Sequence, residues 1–136
     1  MTICGIGVDL VEISRIERLL ARHGQRAVER ILHPVEQAAI RRVDHPARFL
    51  AKRFAAKEAA AKALGTGIAQ GIRLQDMWIE NDLLGRPELL LAGGALQRAR
   101  RLGALSWHVS LSDERTHVVA FVVLEGSGSS METAID

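Results

Sequence analysis

The chain has no tyrosine, and aromatic residues make up only 4% of its 136 positions. Proteins that hold single strands by base stacking need a row of aromatic faces, and no such platform is available here. That scarcity argues against a basic nucleic-acid-binding module, the main rival reading of an arginine-rich chain. The single cysteine, Cys4, allows no intramolecular disulfide and fits a reducing cytosol. No apolar run approaches the roughly 20 residues needed to span a bilayer. The start, Met-Thr-Ile-Cys-Gly, carries no charged leader. The expectation is a cytoplasmic protein without membrane or nucleic-acid partners. No thiolate or histidine cluster has zinc spacing. No Gly-Lys-Ser or Gly-Lys-Thr occurs, so there is no Walker loop. Gly5-Ile6-Gly7 lacks the third glycine and following helix of a dinucleotide fingerprint, and no Gly-x-Ser-x-Gly elbow supports Ser110 or Ser112 as a nucleophile.

What is present suits one folded domain with a real core. Residues are 48% hydrophobic and 25% charged, which predicts a soluble globular chain. The formal charge is +2, but arginines crowd the segment from Arg15 to Arg53, whereas Glu125 to Asp136 carries only acids. Local positive surface points to an acidic partner or a phosphorylated ligand.

Residues 3–11 read as a strand with two glycines where backbone or ligand comes close. Ser14 and Glu17 match a capping box for a helix ending near Gly24. Helical pieces are expected over 27–32 and, after His33-Pro34, over 35–42. Asp44-His45-Pro46 opens a long helix from about Ala47 to Leu64. Strands over 77–81 and 88–91 form a hairpin, 95–102 is a basic helix, and strands over 106–111 and 117–124 flank a loop at 112–115. Val118–Val123 is continuously apolar, as a buried central strand should be. Residues 126–136 read as a flexible Gly/Ser tail, leaving a single domain over 1–125. Helices and strands mix without strict alternation, which argues α+β.

The chemistry concentrates in Ala51–Gly67. Glu58 and Lys62 are four apart and share a helix face, with Phe54 one turn above and alanines leaving room for close approach. A carboxylate beside an ammonium can hold a cation and a phosphate together. The plainer alternative is a helical ion pair contributing about 0.3 kcal/mol. Asp9 interrupts an apolar strand, so it needs a partner or a metal. Capping or salt bridging at the strand's end would also serve. Asp9 and Glu58 together suit magnesium, which takes one or two carboxylates, keeps waters and accepts phosphate oxygens. Lys62 and Arg53 could balance further phosphate charge. His108 lies on a strand, in either a structural or a titrating role.

Gly5-Ile6-Gly7-Val8-Asp9-Leu10-Val11-Glu12-Ile13, Arg53 to Ile68, Asn81 with Gly85-Arg86-Pro87, and His108 to Glu114 follow in that order. This series resembles the holo-(acyl-carrier-protein) synthase family, the small 4′-phosphopantetheinyl transferases of bacterial fatty-acid synthesis. The resemblance covers residues 3–125, and its first two motifs are the most specific. It implies that family's α+β fold, an antiparallel sheet packed with a long helix and shorter N-terminal helices. It implies coenzyme A as substrate, apo-acyl carrier protein as partner and magnesium as cofactor. Asp9 and Glu58 match its metal ligands, and Lys62 a residue near the phosphates. Arg53 and His108 match residues at the nucleotide's 3′-phosphate, and Gly65 matches the helix end where the ligand passes. Arg86 and Pro87 fall in the nucleotide-binding turn, with Arg86 where the family often has lysine. Asp113 stands where many relatives have histidine, which speaks against catalysis there. The base that takes the serine proton stays open between a metal-held water and Glu58 itself. Carrier proteins are acidic, so Arg15, Arg18 and Arg22 form a docking stripe, or else an ordinary solvated face. A homotrimer with active sites between subunits is implied by the resemblance alone.

Overall fold

A computed structural model describes residues 1–127. Its elements, in chain order, are β1 (Thr2–Glu12), α1 (Ile13–His23), α2 (Gln25–Ile31), α3 (Pro34–Ile40), α4 (Pro46–Ala63), β2 (Met77–Asn81), β3 (Pro87–Leu91), α5 (Gly93–Arg101), β4 (Ala104–Asp113) and β5 (His117–Gly126). The class is α+β with antiparallel pairing, as expected. The main sheet has the order β1-β5-β4, so the apolar run Val118–Val123 sits on the central strand. β2 and β3 form a separate hairpin with Met77 opposite Leu91.

Alanine explains why α4 is the pillar of the fold. Ala51, Ala55, Ala56, Ala59, Ala60, Ala61 and Ala63 are all buried. Methyl side chains favour the helix and let neighbours approach its axis from several sides. Strand β1 approaches closest. A Cβ built on Gly7 would stand 2.0 Å from the Ala59 carbonyl oxygen, and one on Gly5 2.1 Å from that of Ala63. The two glycines therefore admit the helix backbone rather than a ligand. Pro46 opens α4, and Gly65, at φ 82°, ends it in the left-handed region. Arg98 of α5 donates from Nε to the Leu64 carbonyl at 2.8 Å, satisfying an end carbonyl of the helix.

Glu36 is the polar hub of the core. Its carboxylate accepts from Lys57 Nζ at 2.6 Å and from the Ile79 amide at 3.0 Å, while Lys57 also donates to the Ile31 carbonyl at 2.6 Å. These bonds tie α2, α3, α4 and β2 together. Removing one member of such a buried pair typically costs about 3–5 kcal/mol.

The sheet has two unlike faces. Gly7, Asp9 and Val11 of β1 face α4, whereas Ile6, Val8 and Leu10 point away and are 60%, 53% and 65% exposed. Phe121, opposite Val8, joins them on that open face.

Several boundaries differ from expectation. Helix α1 begins at Ile13 with Glu12 as its N-cap, so the capping box expected of Ser14 and Glu17 does not form. Pairing of Glu12 with His117, together with the Ile13 amide bonded to the Thr116 carbonyl, carries the strand up to Glu12 and leaves Ser14 inside the first turn. Its hydroxyl donates instead to the Glu12 carboxylate. A reciprocal cap forms at α3, where His33 Nδ1 accepts from the Val35 amide and the Glu36 carboxylate from the His33 amide. Ser112 and Asp113, expected in a loop, pair with Val119 and Val118 in the sheet. Gly126, expected to begin a tail, closes β5 opposite Thr2 and Ala104. The rest of that tail, 128–136, lies outside the described residues. Among the described residues no helix is long and apolar enough to cross a membrane.

Candidate active site

Where β1 crosses the C-terminal half of α4, three charged residues singled out from the sequence come together. Lys62 Nζ donates to Asp9 Oδ1 at 2.9 Å and to the Val8 carbonyl at 3.0 Å. Glu58, one turn back on the same helix, is half-buried. Burial pushes its carboxyl above the ordinary carboxylate range, and the Asp9 charge pushes it further; Lys62 and Arg15 pull it back in part. Two carboxylates thus share a partly dehydrated space and call for positive charge. The oxygens of Asp9, Glu58 and Val8 are hard donors, and that chemistry suits magnesium with water and phosphate oxygens filling the remaining positions. Among the described residues no group of three His, Cys, Asp or Glu side chains gathers.

A second group forms at the edge of the sheet. Arg86, Pro87 and His108 line one hollow of about 430 Å³ with Trp107 and Leu89. His108 Nε2 lies 3.1 Å from Glu125 Oε1 and 3.4 Å from Ser106 Oγ. His108 pairs with Val123, which pairs with Ile6, so it belongs to the open face, opposite to Asp9. From Leu111, the β4 residue in register with Asp9, it is three positions along and the sheet is two spacings across, placing the two residues about 14 Å apart.

The arginines of α1 make a third group. Arg15, Arg18 and Arg22 rim an open hollow with Leu19 and Phe54. Arg15 lies over the Phe54 ring at 5.7 Å, and Arg18 reaches Ser14 Oγ at 3.5 Å and Glu12 Oε1 at 3.9 Å. Arg15 therefore belongs to the stripe and also faces Glu58.

Arg53 stands apart. Expected at the nucleotide, its side chain is only 8% exposed and turns inward, stacked on Phe49 at 4.5 Å. Its Nε lies 3.3 Å from Glu36 Oε2 but is not aimed at it, so among the described residues this buried N–H has no hydrogen-bond partner. The buried Glu36 carboxylate draws it in, as it draws Lys57. Asp113, set aside as a catalytic candidate, takes an ion pair from Arg48 at 3.1 Å that ties α4 to the β4–β5 turn. Sequence reasoning missed Glu36, Lys57 and Arg98. The only available signals were Glu36 three residues after His33 and a lysine set into the alanine run.

A family model described as the 4′-phosphopantetheinyl transferase superfamily matches residues 5–122. A holo-[acyl-carrier-protein] synthase from Alkalilimnicola ehrlichii is 63% identical over 92% of this chain and 98% of its own length. The crystal structure of a Neisseria meningitidis holo-[acyl-carrier-protein] synthase is 44% identical, covers 90% of this chain and 98% of that one, and superposes with a TM-score of 0.84. The Helicobacter pylori holo-[acyl-carrier-protein] synthase in complex with coenzyme A is 29% identical, with a TM-score of 0.77 over 88% of this chain and 99% of that one. With Asp9, Glu58 and Lys62 brought together on that fold, the chain belongs to the 4′-phosphopantetheinyl transferase superfamily, and within it to the holo-[acyl-carrier-protein] synthases.

Proposed function

We propose that this enzyme moves 4′-phosphopantetheine from coenzyme A to a serine of apo-acyl carrier protein, with magnesium, in the cytoplasm and in the service of fatty-acid biosynthesis. Adenosine 3′,5′-bisphosphate is the second product. The observation that carries the reading is the meeting of Asp9, Glu58 and Lys62 between β1 and α4. The coenzyme A complex of the Helicobacter pylori relative supports the donor substrate.

In this reading the serine oxygen forms a bond to the β-phosphorus while the bond from that phosphorus to the bridging oxygen of the α-phosphate breaks. The bisphosphate leaves with the electron pair, and the serine proton passes to a base. That base is either Glu58 itself or a water held by the carboxylates. Lys62, exposed over half its side chain, can turn from Asp9 to a phosphate oxygen. Asp9 and Glu58 would hold magnesium, which neutralises phosphate charge and stabilises the charge developing in the transition state. Arg15, Arg18 and Arg22 around the Phe54 hollow would receive the acidic carrier protein.

The nucleotide side of the site lies between subunits of a homotrimer. The 3′-phosphate and the pyrophosphate of coenzyme A hang from one ribose and cannot reach both faces of a sheet. Within one chain, however, His108 and Asp9 stand on opposite faces of the sheet. A neighbour would supply the missing half, and the open face at Ile6, Val8, Leu10 and Phe121 is the surface such an assembly would cover.

Mass spectrometry of apo-carrier protein incubated with coenzyme A and magnesium tests the activity. The carrier should gain the mass of phosphopantetheine. Asp9→Ala and Glu58→Gln should each lower the rate by about 100-fold or more with the fold intact. Near-normal turnover of either variant at limiting magnesium would reject the shared site.

A further inference from the structure

The Asp9 site already contains a cation of the protein's own. Lys62 Nζ sits 2.9 Å from Asp9 Oδ1 and 3.0 Å from the Val8 carbonyl, so it occupies the Asp9 carboxylate that, with Glu58, would hold a divalent ion. The inference rests on the metal-site reading above: we propose that Lys62 is a place-holder, its ammonium filling the cation position in the substrate-free enzyme, so that divalent-cation and coenzyme A binding are coupled through its release.

Three features of the site lead there. Asp9, 16% exposed, and half-buried Glu58 bring two carboxylates to one crossing of β1 and α4, and like charges so placed favour a nearby cation. Arg15 places charge near Glu58, yet among the described residues only Lys62 is bonded to the Asp9 side chain. The two bonded partners also differ in freedom. Asp9 is fixed on a paired strand with its side chain 16% exposed, whereas the Lys62 side chain is 52% exposed, so the lysine can swing away and the aspartate cannot. A divalent ion entering alone must evict the ammonium, strand it without a partner and then sit beside it. An ion entering with a polyphosphate meets a different balance, because the phosphate oxygens offer the evicted ammonium a new partner. The cation should therefore bind the free enzyme weakly and the coenzyme A complex tightly. By linkage, the cation must raise coenzyme A affinity by the same factor.

Manganese(II), which takes the same oxygen donors, serves as the probe. Its binding to the full-length protein is followed by the loss of its free-ion electron paramagnetic resonance signal, with and without coenzyme A. In wild type, coenzyme A should tighten manganese binding about tenfold or more. In Lys62→Gln, manganese should bind the coenzyme-free protein about tenfold more tightly than wild type, and most of the coupling should vanish. Lys62→Met should behave the same way. Arg15→Gln removes a nearby charge that does not touch Asp9, so it should change little. The place-holder is rejected if Lys62→Gln binds manganese no more tightly than wild type, or if Arg15→Gln tightens it equally. Asp9→Asn distinguishes the two ways the idea can fail. If it binds manganese as well as wild type does, the metal-site reading fails and the place-holder with it. If binding is lost there but Lys62→Gln gains nothing, only the place-holder fails.

Discussion

Glu58 is a carboxylate kept where a carboxylate is disfavoured. Its burial on α4 and the nearby Asp9 charge raise its pKa in the folded chain, while the unfolded chain returns it to about 4.5. Between that value and the raised one the folded protein holds more protons than the unfolded one. Stability therefore falls as pH rises through this window, and the penalty persists above it. Glu58→Gln removes the penalty. In chelator-treated protein, calorimetry should show the variant losing less melting temperature than wild type as pH is raised from the ordinary carboxylate range toward neutrality, although transfer is lost. Identical pH profiles would mean that Glu58 titrates normally. That Glu58 and Lys62 share a helix face was legible, because residues four apart on a helix must do so. The inward turn of Arg53 was not. Arg53, Lys57 and Lys62 are three cations on one helix, and only what each meets in space separates them. Glu36 meets the first two, and Asp9 the third.

At the scale of elements, the site depends on how closely β1 lies on α4. Gly7→Ala would place a methyl carbon 2.0 Å from the Ala59 carbonyl oxygen, so strand and helix must part. Urea melts should show a loss of about 3 kcal/mol, and transfer should fall because Asp9 recedes from Lys62. Unchanged stability would mean that the strand shifts without cost. Helix α1 permits a separate test of recognition. Reversing Arg18 and Arg22 to Glu should weaken carrier-protein binding by about tenfold or more, because complementary charge across such a surface chiefly drives encounter. Added salt, which weakens binding to wild type, should weaken binding to the variant much less. Coenzyme A binding, measured by calorimetry on the same variant, should stay nearly constant. Equal loss for both ligands would show that α1 supports the nucleotide site, and no loss for the carrier would leave the stripe as solvated surface. The strand edges were less legible than the helices. Pairing extended β4 and β5 to Asp113 and Gly126, beyond what local turn residues suggested.

For the whole molecule, the open sheet face is the clearest signal. Leu10 and Phe121 are 65% and 46% exposed on one surface with Ile6 and Val8, a contiguous apolar face of the kind that marks an interaction surface. Light scattering should give the mass of a trimer for wild type and of a monomer for the double variant Leu10→Asp, Phe121→Asp, with coenzyme A affinity lost in parallel. A fully active monomeric wild type would reject the assembly. The sequence alone carries the α+β class, the long alanine-rich helix, the central apolar strand and the candidacy of Asp9, Glu58 and Lys62, because spacing, glycine placement and residue type are local quantities. Only the tertiary structure decided which carbonyl each glycine admits and which acid each cation answers. It also decided that His108 and Asp9 stand on opposite faces of one sheet. Those outcomes depend on strand register and on the packing of distant segments, which no local pattern encodes.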